Sequence, residues 1–105
     1  MYFVVVNDAG GHPTWKLYSG NSKLVAWAGE SFATTYSATR AAQDFKAGAK
    51  AAYYDIYSDT GGHYRWRAIR GGNKVASSGE SFYSKYDAER AAANVRDNAG
   101  AATGP

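Results

Sequence analysis

Two glutamates stand in the same local phrase, Gly29-Glu30-Ser31-Phe32 and Gly79-Glu80-Ser81-Phe82. A pair of carboxylates can divide acid–base work when roughly 5–10 Å apart, one giving a proton while the other attacks or activates water. Each glutamate also precedes an expected helix start, where a carboxylate can instead accept backbone N–H groups and favour the helix dipole. The second use needs no partner and is the reading adopted for both. Two histidines recur in parallel, His12 after Gly10-Gly11 and His63 after Gly61-Gly62, with Asp8 or Asp59 shortly before. Zinc takes three or four ligands, and each histidine sits alone in its own turn, so both read as turn residues and no metal site is expected. Ser31 and Ser81 lack a histidine at workable spacing, and Gly-Glu-Ser-Phe is not the Gly-x-Ser-x-Gly of a nucleophile elbow. The glycine pairs at 10–11, 61–62 and 71–72 follow strand-like runs but open no helix, which excludes a phosphate cradle. No catalytic residue and no cofactor is expected, and the chain does not read as an enzyme.

The elements that carry these residues follow from a repeat. Asp8-x-Gly10-Gly11-His12-x-x-Trp15 lies over Asp59-x-Gly61-Gly62-His63-x-x-Trp66. One residue drops out of the next turn. Val25-Ala26-x-x-Gly29-Glu30-Ser31-Phe32 then falls on Val75-Ala76-x-x-Gly79-Glu80-Ser81-Phe82, and Tyr36-x-Ala38-x-Arg40-Ala41-Ala42 on Tyr86-x-Ala88-x-Arg90-Ala91-Ala92. Each copy reads as three strands and a helix. Tyr2–Asn7 and Tyr53–Ser58 are β-branched and aromatic and end in Asp-x-Gly-Gly hairpin signals, with both glycines expected at positive φ. Thr34 or Thr35, and Ser84, stand where an N-cap is wanted, with Asp87 completing a capping-box-like start. Helices are expected over about 35–48 and 85–98. Their apolar stripes, Ala38, Ala41, Ala42, Phe45, Ala49 and Ala88, Ala91, Ala92, Val95, Ala99, have helical spacing. The fold class is therefore α+β: two tandem β3-α repeats, 1–50 and 51–100, forming one antiparallel sheet of about six strands with two helices on one face, pseudo-twofold. Residues 1–105 read as a single domain, and the last residues, from 99 on, as a frayed tail.

The run Tyr64-Arg65-Trp66-Arg67, then Val75-Ala76-Ser77-Ser78-Gly79-Glu80 and the Ser84-Lys85 helix start, resembles the YegP-like proteins. The first half departs from that pattern: Trp15-Lys16 replaces Arg-Trp-Arg, and Ala26-Trp27-Ala28 replaces Ala-Ser-Ser. The resemblance implies tandem β3-α-β units in one sheet with exchanged end strands, Tyr53–Ser58 closing the first half and Tyr2–Asn7 the second. It implies no activity.

Strand alternation then sorts the side chains. Phe3, Val5, Tyr54 and Ile56 turn inward with Trp15, Leu17 and Trp66. Outward go Tyr2, Val4, Val6, Thr14, Lys16, Tyr18, Tyr53, Asp55, Tyr57, Arg65, Arg67 and Ile69. Helices cover one side of the sheet, so the other carries tyrosines, valines and basic groups together. The expected binding residues are Tyr2, Val4, Lys16, Tyr18, Tyr57, Arg65 and Arg67. The favoured role is protein binding, including a homodimer. The runner-up is single-stranded nucleic acid stacked on tyrosines, which requires Lys16, Arg65, Arg67 and Arg70 to line up as one positive stripe. A third possibility is a small-ligand pocket between helix and sheet lined by Trp15, Trp66, Tyr36 and Tyr86.

The totals limit these choices without deciding between them. Twelve Lys/Arg against nine Asp/Glu leave a net charge of +3, which tolerates a polyanion but does not demand one. With no cysteine there are no disulfides or thiolate metal sites, and a reducing, cytoplasmic setting is expected. No apolar run approaches a membrane span, and Tyr2–Val6 is too short for a signal-peptide core.

Overall fold

A computed structural model describes all 105 residues. Strands β1 (Tyr2–Asn7), β2 (Pro13–Tyr18) and β3 (Leu24–Trp27) precede helix α1 (Thr35–Gly48) and a 3-10 turn, Ala49–Ala51. The same order then recurs as β4 (Tyr53–Ser58), β5 (Tyr64–Arg70), β6 (Asn73–Ser78), α2 (Lys85–Asn98) and a 3-10 turn, Ala99–Ala101. The six strands form one antiparallel sheet in the order β1-β2-β3-β6-β5-β4, with both helices against one face. The α+β class expected from the sequence is the one found.

Each hairpin tip is built by its aspartate. The Asp8 Oδ1 accepts the amides of Gly10 and His12, at 2.9 and 3.0 Å, and Asp59 Oδ1 accepts those of Gly61 and His63 at the same distances. Positive φ falls on the second glycine alone, Gly11 (79°) and Gly62 (80°), because the side-chain cap holds the first in an ordinary conformation. The β5–β6 turn needs both of its glycines there, Gly71 at 57° and Gly72 at 80°, as a two-residue primed turn demands.

The halves meet along a short seam, where Ala26 faces Ser78 and Trp27 faces Ser77. Gly79 makes the seam possible, since a Cβ there would run into the backbone carbonyl of Leu24. This pairing also overturns the expected exchange of end strands. With β3 and β6 joined at the centre, β4 lies at the far edge and pairs with β5 alone. The 3-10 turn after α1 packs on α2 and delivers the chain to that edge. The opposite edge is closed by the expected frayed tail, which is ordered. Phe3 N donates to Thr103 O at 2.9 Å, Thr103 N donates to Met1 O at 3.1 Å, and Ala99 and Ala102 are buried. Ala99 and Ala102 give that segment an apolar side, and burying it in the core beside α1 outweighs the entropy of fraying.

The core is aromatic on the sheet side and small on the helix side. The Trp15 ring stacks on Phe45 at 5.2 Å, Phe3 meets Trp15 edge-on at 5.5 Å, and Tyr54 meets Trp66 edge-on at 5.5 Å. Ala38, Ala42, Ala88 and Ala92 are buried beneath them and let the helices lie close to the sheet. Both indole N–H groups lack a protein acceptor, so burying the two rings must outweigh about 1–3 kcal/mol apiece.

Candidate binding face

No helix covers the second face of the sheet. Register carries one continuous row across it: Val4, Lys16, Trp27, Ser77, Arg67 and Asp55, each opposite the next on neighbouring strands. All seven expected residues lie on this face, in two groups. Tyr2, Val4, Lys16 and Tyr18 occupy β1 and β2, with Tyr2 and Tyr18 stacked at 5.5 Å. Tyr57, Arg65 and Arg67 occupy β4 and β5. Trp27 joins the groups and was missed from the sequence, although its place between buried Ala26 and Ala28 puts it on the outward face.

The two groups differ electrostatically. The Arg67 Nε donates to Asp55 Oδ2 at 2.8 Å, and its guanidinium covers the Tyr57 ring at 4.6 Å. Arg65 Nε donates to Asp59 Oδ2 at 3.1 Å. The His63 amide, the Arg65 guanidinium and the Gly61 amide hold the Asp59 carboxyl below the usual carboxylate range, against the opposing effect of burial. Asp8 is likewise held low, first by the Ser31 hydroxyl and then by the amides of His12 and Gly10. Of the basic residues expected on this face, Lys16 has no carboxylate within 4 Å. Arg70 faces elsewhere and lines a cleft beside α1. The single positive stripe of Lys16, Arg65, Arg67 and Arg70 is therefore not formed.

Three further expectations are corrected. Thr14 is not exposed, because the segment after β3 runs beside it: its hydroxyl donates to Glu30 O at 2.7 Å, and Phe32 N donates to Pro13 O at 2.7 Å. The pocket expected from Trp15, Trp66, Tyr36 and Tyr86 does not exist. Both indoles are fully buried, while Tyr36 and Tyr86 stand 69% and 66% exposed outside the helices. Glu30 and Glu80 neither converge nor serve the helix starts. They line separate clefts, Glu80 pairs with Lys23 at 3.0 Å, and the N-terminal amides are met by Thr34 and Ser84. No group of three or more His, Cys, Asp or Glu side chains gathers as a metal site. No helix is long and apolar enough to cross a membrane.

No family model matches the chain, and no curated protein does. Two structures solved in solution by NMR share its architecture. A protein of unknown function, YegP from E. coli, superimposes with a TM-score of 0.81 at 15% identity, over 97% of this chain and 88% of the other. A UPF0339 protein from Shewanella oneidensis does so with a TM-score of 0.79 at 11% identity, over 97% of this chain and 86% of the other. With superposition this close over nearly the whole chain, the chain has the YegP-like fold.

Proposed function

We propose that this protein is a non-enzymatic binding module, one domain of two tandem β3-α units, that associates with a second copy of itself through the helix-free sheet face. The observation that carries this reading is the row Val4–Lys16–Trp27–Ser77–Arg67–Asp55. Trp27 and Ser77 straddle its centre, so a twofold through the seam sets the indole of each copy over the small serine of the other. Sheets packed face to face interdigitate in this way at about 10 Å. Tyr2, Val4, Val6 and Tyr18 supply apolar area beside that knob and hole. The Arg67–Asp55 and Arg65–Asp59 pairs neutralise the charged half internally, which suits a protein surface better than a phosphate backbone.

Sedimentation across a concentration series tests this. The expected result is a reversible dimer. Replacing a central aromatic anchor, Trp27→Ser, is expected to weaken it at least tenfold, or about 1.4 kcal/mol. A chain that stays monomeric to about 1 mM, a regime worth only about 4 kcal/mol, would overturn the reading.

A further inference from the structure

The helix-bearing side carries two clefts at matching positions, and they have diverged. One, about 450 Å³, opens between α1 and the β5–β6 turn over a floor that includes Ala28, Phe32, Phe45 and Val75. The other, about 260 Å³, lies between α2 and the β2–β3 turn. The repeat pairs their frames residue for residue: Glu30 with Glu80, Phe32 with Phe82, Val25 with Val75, Ala41 with Ala91. Their charges do not correspond. Where the larger cleft has Arg70, Lys74 and Asp44, the smaller has Ser19, Leu24 and Asn94, and its one lysine, Lys23, is tied to Glu80 at 3.0 Å.

In the larger cleft the opposite charges are held near each other but unjoined. Arg70 lies against the end of α1, in space that exists because residue 48 is glycine; a Cβ there would overlap its guanidinium. The matching position of the other half is Asn98. Asp44 sits one helical turn before Gly48 on the same side of α1. Nevertheless, neither Arg70 nor Asp44 has an ion-pair partner within 4 Å. Arg40, one turn before Asp44, donates to the Tyr36 hydroxyl at 2.9 Å and feels the Asp44 charge without pairing with it, while Lys74 donates to Gly29 O at 3.0 Å; both stay charged. The cleft thus presents the unpaired carboxylates of Asp44 and Glu30 together with the unpaired cations of Arg70 and Lys74, around an apolar floor.

We propose that this cleft binds a free α-amino acid with an apolar side chain, Arg70 taking the carboxylate, Asp44 the ammonium, and the floor the side chain. A simple anion would meet repulsion from Asp44 and Glu30, and a simple cation repulsion from Arg70 and Lys74; a zwitterion satisfies both signs. A planar guanidinium fork is suited to a carboxylate. The site is distinct from the sheet face and stands whether or not that face dimerises.

The test is a titration of the ¹⁵N-labelled protein with L-phenylalanine and L-leucine, followed by amide shifts. Saturable shifts at Gly48, Arg70 and Gly71 are expected, with a dissociation constant below about 5 mM for ligands of this size. Phenethylamine, which lacks the carboxylate, and 3-phenylpropanoate, which lacks the ammonium, should each bind at least tenfold more weakly. So should Arg70→Ser and Asp44→Asn, which carry the side chains of the matching cleft and whose spectra report directly that the fold is intact. Absence of saturable shifts would overturn the proposal. Equal affinity for the one-ended analogues, undiminished binding in both variants, or shifts confined to β1–β3 would do the same.

Discussion

Tyr54 is half-buried against α2, edge-on to Trp66, with its hydroxyl donating to the Ala49 carbonyl at 2.8 Å. Burial pushes its pKa from the ordinary tyrosine value of 10.0 up to about 12. An unfolded tyrosine therefore releases its proton first as pH rises. The stability tied to this group is complete below about pH 10 and drains away between about 10 and 12. In urea melts across that window, wild type should lose stability faster than Tyr54→Phe. At neutral pH the variant should be weaker by about 1 kcal/mol for the lost hydrogen bond. Parallel pH profiles for the two proteins would show that the hydroxyl is not held in a dehydrated site. Asp8 and Asp59 work at the opposite limit. Their lowered values keep a contribution in place above the usual carboxylate range, and it is lost as pH falls through the lowered pKa.

Both helices begin in the same way. Thr34 and Ser84 are extended caps whose side-chain oxygens accept the amides of Ser37 and Asp87, each at 3.0 Å. Ser84→Ala and Thr34→Ala should each cost about 1 kcal/mol in chemical denaturation, and Ser84→Gly only a few tenths. A cost for Ser84→Ala no greater than for the glycine variant would mean that packing alone holds the start of α2. These caps, the Asp-x-Gly-Gly tips and the period-two strands were legible because each is decided within a few residues. What escaped is decided by partners far along the chain. The β3–β6 seam depends on which halves pair, and Thr14 is hidden by the Glu30 segment sixteen residues away. The bond that ties Arg67 to Asp55 exists only through cross-strand register, which the local sequence does not display. The clefts were invisible for the same reason. Register shifts after Leu17 and Ala68 skip Val25 and Val75, which turn toward the helices, and each cleft combines a helix with the turn of the other half.

Across the whole molecule, the C-terminal segment lies beside β1, so the two ends of the chain are neighbours. Ala51, the last residue of the first 3-10 turn, and Ala52, which leads into β4, stand in the matching place of the other half. Joining Pro105 to Met1 through a few glycines and cutting between Ala51 and Ala52 should give a circular permutant that folds, because no strand loses a neighbour. Its circular dichroism and amide spectrum should match those of the parent, with a melting point lower by no more than several degrees. Failure to fold would mean that the direct passage from α1 into β4 is required. The permuted chain would again read three strands and a helix, twice. A molecule closed on itself in this way has a direction but no privileged starting point.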